Sequence, residues 1–133
     1  MFDWYVLSLV TMFVFAVYFV LVGNVGFARL KFKVSAPAMT GHADFERYVR
    51  VHYNTLEQIV MMLPTMWLFA YFVSITWASV LGGVWCLGRI AYAIGYYRDA
   101  NKRHLGSALS FIPTIVFLVG TTISLVLRII AAY

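Results

Sequence analysis

The stretch FERYVRVHYNTLEQ, residues 45–58, places charged and amide side chains at helical spacing in an otherwise apolar chain. At about 100° per residue, four of them share a helix arc of roughly 80°: Arg47, Arg50, Asn54 and Glu57. In a later segment, four more share an arc of about 60°: Trp85, Arg89, Tyr92 and Tyr96. Such side chains at membrane depth are costly, so they usually face a partner, a cavity or a ligand. The two strips predict a polar site between transmembrane helices.

The composition excludes most other classes of protein. The chain has 133 residues, of which 63% are hydrophobic and 11% charged, and its mean hydropathy is +0.86. These values predict an all-α integral membrane protein. The net charge of +5 does not indicate nucleic-acid binding, because the basic residues sit at the ends of apolar segments. Cys86 is the one cysteine and the three histidines are dispersed, so no disulfide or metal site is predicted.

Four apolar stretches are long enough to cross a bilayer, which takes roughly 20 helical residues. They cover about residues 4–27, 48–75, 79–97 and 109–132. We expect one domain, residues 1–133, folded as an up-and-down bundle of four transmembrane helices. Asp44 is the expected N-cap of the second helix, and the segment SITWAS, residues 74–79, is the expected loop before the third.

The distribution of basic residues predicts the orientation in the membrane. Most lysines and arginines flank the first and third connections, which lie on the same side of an up-and-down bundle. By the positive-inside rule these two loops are cytoplasmic and both termini lie on the opposite side. The first segment carries Asp3 and no cleavage site follows it, so we expect it to remain as a helix.

The polar strips have two interpretations. They are either an ion-pair network that joins helices, for example Glu57 with Arg89, or a ligand site. The inventory of cations, a carboxylate, an amide and phenols exceeds what joining helices needs. It suits a small zwitterion with several carboxylates, which favours the ligand site. The glycines of the third segment indicate close packing against another helix, of the same chain or of another subunit.

Two motifs resemble those of the MAPEG family, membrane-associated proteins in eicosanoid and glutathione metabolism. The pattern E-R-x-x-R-x-x-x-N-x-x-E of the family's second helix is matched from Glu46 to Glu57. The segment RIAYAIGYYRDANKR, residues 89–103, resembles the end of the third helix in the leukotriene C4 synthase and microsomal glutathione transferase 2 branch. The loop ARLKFKVSAPAMTG, residues 28–41, resembles the one before the signature.

This resemblance implies a bacterial member of the family, a homotrimer that binds glutathione as a co-substrate between adjacent subunits near the cytoplasmic face. The positions that match glutathione ligands are Arg29, Arg50, Asn54, Glu57, Tyr92 and Tyr96. Arg103 matches the catalytic arginine, which activates the thiol. A thiol with a pKa near 8.5 is mostly neutral at pH 7, and a guanidinium favours its thiolate form.

The implied activity is glutathione transfer to a hydrophobic electrophile, or reduction of a lipid hydroperoxide, with the second substrate entering from membrane lipid. Three positions depart from the leukotriene synthase pattern: Leu30, His52 and Gln58 replace an arginine, a glutamine and a tyrosine. These departures favour a broad transferase or peroxidase of the detoxification type over leukotriene synthesis. Two alternatives stay open: a non-catalytic lipid-binding scaffold like five-lipoxygenase-activating protein, and a glutathione-dependent isomerase like prostaglandin E synthase.

Overall fold

Four long helices account for most of the computed structural model, which describes all residues from Met1 to Tyr133. They are α1 (Phe2–Phe32), α2 (Ala43–Phe72), α3 (Ile75–Arg98) and α4 (His104–Ala132). A single turn of 3-10 helix, Ala100–Arg103, precedes α4. The expected all-α fold with four helices is confirmed.

Three of the helical segments are long and apolar enough to cross a membrane, and they make the chain an integral membrane protein. They are Phe2–Phe32, Ile75–Arg98 and Ala100–Ala132. The helix α2 has 30 residues, about 45 Å at 1.5 Å per residue, so it is long enough to cross. Because its first half is polar, it is not apolar enough to belong to this set. Its crossing of the bilayer therefore stays a prediction.

Cross-helix side-chain pairs show that consecutive helices run antiparallel. Trp4 stacks on Trp67 and Tyr18 stacks on His52, so α1 and α2 pair in opposite directions. The same reversal relates α2 to α3, through Asn54 with Arg89 and Tyr48 with Tyr97. It also relates α3 to α4, since Gly88 meets Ser110 and Tyr92 meets Gly106. The up-and-down order follows from these pairs.

The helix ends differ from the expected ones at two places. His42 caps α2, because its Nδ1 accepts from the Asp44 backbone N–H at 3.2 Å, so the predicted Asp44 cap is wrong. The expected SITWAS loop is also wrong, since α2 ends at Phe72 and α3 starts at Ile75. Ser74 caps α3 by accepting from the Trp77 N–H, and that bond satisfies a backbone donor and lets the helix begin a turn earlier.

The helices α2 and α3 each pack against all three others and form the interior of the bundle. The core is built around α3. Its Trp85 is fully buried with Met62 and Met66 of α2, Leu7 of α1 and Phe117 of α4. Large apolar side chains on the outer faces of α1 and α4 remain exposed, as lipid contact requires. The polar half of α2 therefore meets α3 on the inside of the bundle, and this contact positions the site.

Three glycines bring α3 and α4 into close contact beside the polar residues. A Cβ on Gly106 of α4 would collide with the Tyr92 backbone, and one on Gly88 of α3 would lie 2.8 Å from the Ser110 nitrogen. A Cβ on Gly95 would collide with the Lys102 carbonyl. Part of the close packing expected of α3 glycines therefore occurs within one chain, whereas Gly83 faces open space.

Candidate functional site

A polar cavity of about 250 Å³ lies between α2, α3 and the start of α4. Five of the seven predicted site residues line it: Arg50, Asn54, Tyr92, Tyr96 and Arg103. Three residues that sequence reasoning missed complete the lining: Gln58, Ser107 and Phe111. The structure thus gathers most of the predicted set at one place in a single chain.

Helical spacing explains how the lining is assembled. On α2 the cavity residues recur every four positions, at 50, 54 and 58, and on α3 they do so at 92 and 96. Positions four apart on a helix are neighbours on one face. Arg103, Ser107 and Phe111 follow the same rule across the start of α4. The same periodicity, extended by one step, would have found Gln58, Ser107 and Phe111.

A buried arginine lies behind the cavity. Arg89 is 0% exposed, and its guanidinium donates to Asn54 Oδ1 and Thr55 Oγ1, each at 3.0 Å, and to Ser110 Oγ at 3.3 Å. Its guanidinium carbon lies 4.0 Å from the centre of the Tyr92 ring. This residue joins α2, α3 and α4 at one level.

The alternative interpretation, an ion pair between Glu57 and Arg89, is not what the structure shows. The acceptors of Arg89 are neutral oxygens, and the ion pair in the chain joins Arg47 to Asp44 at 3.5 Å. Thr55 and Ser110 can serve as acceptors because their hydroxyl hydrogens go to carbonyls one turn earlier, those of Val51 and Gly106. A guanidinium can be buried here since several oxygens surround it.

The mouth of the cavity is formed by more exposed side chains. Arg50 and Arg103 are both exposed, and the Arg103 guanidinium lies 5.6 Å from the Tyr96 ring centre. The rings of Tyr96 and Tyr92 are 5.5 Å apart. No carboxylate lines the cavity, so its chemistry is that of hydrogen-bond donors and positive charge. It suits carboxylates or a thiolate.

Two predicted site residues lie outside this cavity. Glu57 is exposed on α2. Arg29 lies at the end of α1, where it donates to the Ala38 carbonyl at 2.6 Å and faces the Phe45 ring. It lines a separate open groove of about 790 Å³ with Lys33. The role of both residues in ligand binding stays a prediction.

Comparison with known proteins gives the chain its relatives. The model of the MAPEG family matches residues 7–123. An uncharacterized protein of the cyanobacterium Synechocystis is 50% identical over 118 residues, which are 89% of this chain and 86% of that protein.

Two named enzymes are also similar. Human microsomal glutathione S-transferase 2 is 40% identical over 87 residues, 65% of this chain and 59% of the human protein. Bovine leukotriene C4 synthase is 36% identical over 76 residues, 57% of this chain and 51% of the synthase. The chain thus aligns with little more than half the length of these two enzymes. The family match over nearly all of the sequence is decisive, and the chain belongs to the MAPEG family.

Proposed function

We propose that the protein is a membrane-bound glutathione transferase, with peroxidase activity toward lipid hydroperoxides. The observation that carries this proposal is the cavity at which Arg50, Asn54, Tyr92, Tyr96 and Arg103 converge with no facing carboxylate. Its donors match the carboxylates and the thiolate of glutathione. Relatives named as glutathione transferases support the same reaction class.

Arg103 is the residue we assign to thiol activation. It is exposed at the mouth of the cavity, in the single turn of helix before α4, where a ligand reaches it from water. Its guanidinium cannot lose its proton at neutral pH, so it favours a thiolate over a thiol beside it. The proton of the thiol leaves to solvent.

In the transfer reaction, the thiolate sulfur donates an electron pair to an electrophilic carbon. A carbon–sulfur bond forms while the bond from that carbon to a leaving group, or to an epoxide oxygen, breaks. The leaving group or the epoxide oxygen takes the electron pair of the broken bond. In the peroxidase reaction, the thiolate attacks the distal oxygen of the hydroperoxide and forms a sulfur–oxygen bond while the O–O bond breaks. The departing alkoxide takes the bonding pair and a proton from solvent and leaves as the alcohol. A second glutathione then reduces the resulting sulfenic acid, giving glutathione disulfide and water.

We further propose that the enzyme is a homotrimer in which a neighbouring copy supplies Arg29. In the single chain, Arg29 lies outside the cavity and Glu57 is exposed on a helix of the membrane domain. A charged side chain facing lipid is costly, and a second copy would cover it. Native mass spectrometry from mild detergent is expected to give the trimer, and a monomer under gentle conditions would contradict it.

The proposed orientation places the basic connections in the cytoplasm and both termini on the other side. The ends of α1 and α3 and the start of α2 gather lysine and arginine at one end of the bundle, which is the end where the cavity opens. Glutathione would then enter from the cytoplasm and the hydrophobic substrate from the bilayer. Labelling of cysteines introduced at the termini and in the 33–42 loop, in closed vesicles, tests this orientation.

Two assays on purified protein test the activity. We expect conjugation of 1-chloro-2,4-dinitrobenzene to glutathione, and reduction of cumene hydroperoxide with glutathione. Binding of glutathione without turnover in either assay would contradict the enzyme and favour a scaffold like five-lipoxygenase-activating protein. The position of Arg103 in the cavity is the observation that favours the enzyme.

A further inference from the structure

Two buried donors each hold the amide of a residue that lines the cavity. Arg89 donates to Asn54 Oδ1 at 3.0 Å, and the Trp85 indole Nε1 donates to Gln58 Oε1 at 3.3 Å. Both donors belong to α3 and are 0% exposed, and both amides belong to α2. The two pairs lie four residues apart on each helix, so they repeat one arrangement on successive turns.

The chemistry of these donors fixes which way the amides point. A guanidinium and an indole N–H have no acceptor, so the amide atom facing each of them has to be the carbonyl oxygen. The opposite orientation would place N–H against N–H and leave both groups without a partner. The NH2 groups of Asn54 and Gln58 therefore point away from Arg89 and Trp85.

These NH2 groups are open to the cavity. Both residues line it, and within the protein their hydrogen bonds are the ones made by their oxygens. An amide nitrogen sealed in the core would be a buried atom without a hydrogen-bond partner. The buried side-chain atoms of that kind are Arg89 Nε and Thr121 Oγ1, so both amide nitrogens are accessible. Neither NH2 donates within the protein, so its hydrogens are available to a ligand in the cavity.

We propose that Gln58 binds a carboxylate of glutathione beside Asn54, and that Trp85 and Arg89 are the positioning residues that turn both amides toward it. With Arg50 and Arg103 at the mouth, the cavity then offers donors and no acceptor other than hydroxyls, which selects an anionic ligand. Gln58, a departure from the tyrosine of the leukotriene synthase pattern, thus keeps a donor at this position. This inference rests on the proposed function.

The test compares glutathione with its diethyl ester, in which both carboxylates are blocked. Calorimetry in detergent gives the dissociation constant of each ligand for the unmodified protein, Gln58→Met and Trp85→Phe. Methionine keeps the length of glutamine without its donor. We expect Gln58→Met to weaken glutathione binding roughly tenfold, the worth of a hydrogen bond to a charged group, and to change ester binding less than about threefold.

Trp85→Phe tests positioning, since Gln58 is intact but free to rotate. We expect glutathione binding to weaken by about three- to tenfold, again with little change for the ester. Trp67→Phe is the matched control: Trp67 also donates an indole hydrogen bond, to Thr11 Oγ1 at 3.1 Å, on the α1 side of α2. Its affinities are expected to match the unmodified protein.

The outcomes separate this inference from the proposed function. Unchanged glutathione affinity in Gln58→Met overturns the inference and leaves the proposed function standing. If Trp85→Phe does not fold, the Gln58→Met measurement alone is decisive. Equal losses for glutathione and its ester would show general damage and also overturn it. Failure of the unmodified protein to bind glutathione overturns the proposed function and this inference together.

Discussion

Arginines lie in two contrasting settings around the same cavity, one behind it and the other at its mouth. Arg89 is fully buried, donates to three side-chain oxygens from two other helices and stacks on Tyr92. Arg50 and Arg103 are exposed, and neither donates a hydrogen bond or forms an ion pair within the protein. The same side chain therefore serves the fold where protein oxygens surround it. Where its donors stay free, it is available to a ligand.

The contrast separates structural from chemical importance. A polar strip read from sequence contains both kinds of arginine, because periodicity reports the face of a helix and not what lies opposite. Hydrogen-bond partners distinguish them. Replacement of the buried arginine should therefore act mainly on stability, and on binding only through the amide that it positions, whereas variants at the mouth should change binding or turnover with little effect on stability.

Replacement of the buried arginine is expected to have the largest effect on stability. Arg89→Ala leaves a cavity and an Asn54 carbonyl without a donor, so we expect a loss of about 2–5 kcal/mol. Reversible unfolding in mixed micelles measures it. Arg50→Ala is the matched control at the mouth, with an expected change within about 0.5 kcal/mol. Similar losses in the two variants would contradict the division.

Replacement of the arginine at the mouth is expected to act on turnover. Arg103→Ala should lower kcat by about 10²–10³-fold, as for other removed electrostatic stabilisers, while glutathione affinity stays within a few-fold. The pKa of the bound thiol should rise toward about 8.5, so activity and thiolate absorbance near 239 nm should appear at higher pH.

Variants of the neighbouring basic residues, measured by stopped flow, are the controls for Arg103→Ala. Lys102→Ala and Arg98→Ala remove the same charge nearby and should leave the thiol pKa where it is. Lysine at position 103 should restore part of the activity, since it keeps the charge without the planar fork. Equal, small effects at all three positions would make Arg103 an ordinary loop residue.

The contact between α3 and α4 should respond to a single methyl group. Gly106→Ala places a Cβ against the Tyr92 backbone, so we expect a loss of about 1–3 kcal/mol from overpacking and a displaced Tyr92. Gly83→Ala meets no atom within 4 Å and should be neutral or slightly stabilising, because alanine is the better helix former. Unfolding in mixed micelles compares the two, and equal effects would contradict the close approach.

The smallest effect is expected at Arg47, which belongs to the same helical strip but does not line the polar cavity. It pairs with Asp44 at 3.5 Å and donates to the Arg98 carbonyl at 3.2 Å. Exposed pairs of this kind contribute roughly 0.2–1 kcal/mol. Arg47→Ala should therefore lose no more than that, with kcat unchanged. A large loss of turnover would place Arg47 in the site.

Much of the fold follows from the sequence because apolar length and helical period are local properties. The four helices and the gathering of Arg50, Asn54 and Tyr92 were predictable in this way. Partners across helices were not, since the choice between Glu57 and Asn54 for Arg89 depends on how α3 rotates against α2. The cap at His42 and the start of α3 at Ile75 depend on single hydrogen bonds that composition does not reveal.

The direction of the hydrogen bonds around Arg89 has a consequence for proton movement. Every bond there points outward from the guanidinium, to Thr55 and Ser110 and from these hydroxyls to the Val51 and Gly106 carbonyls. A relay needs members that both accept and release a proton, and a permanently charged guanidinium accepts none. The hydrogen bonds around Arg89 therefore provide no proton relay behind the cavity. Under the proposed function we therefore expect the proton of a bound thiol to leave through the mouth, so its transfer should respond to the buffer in the adjoining water.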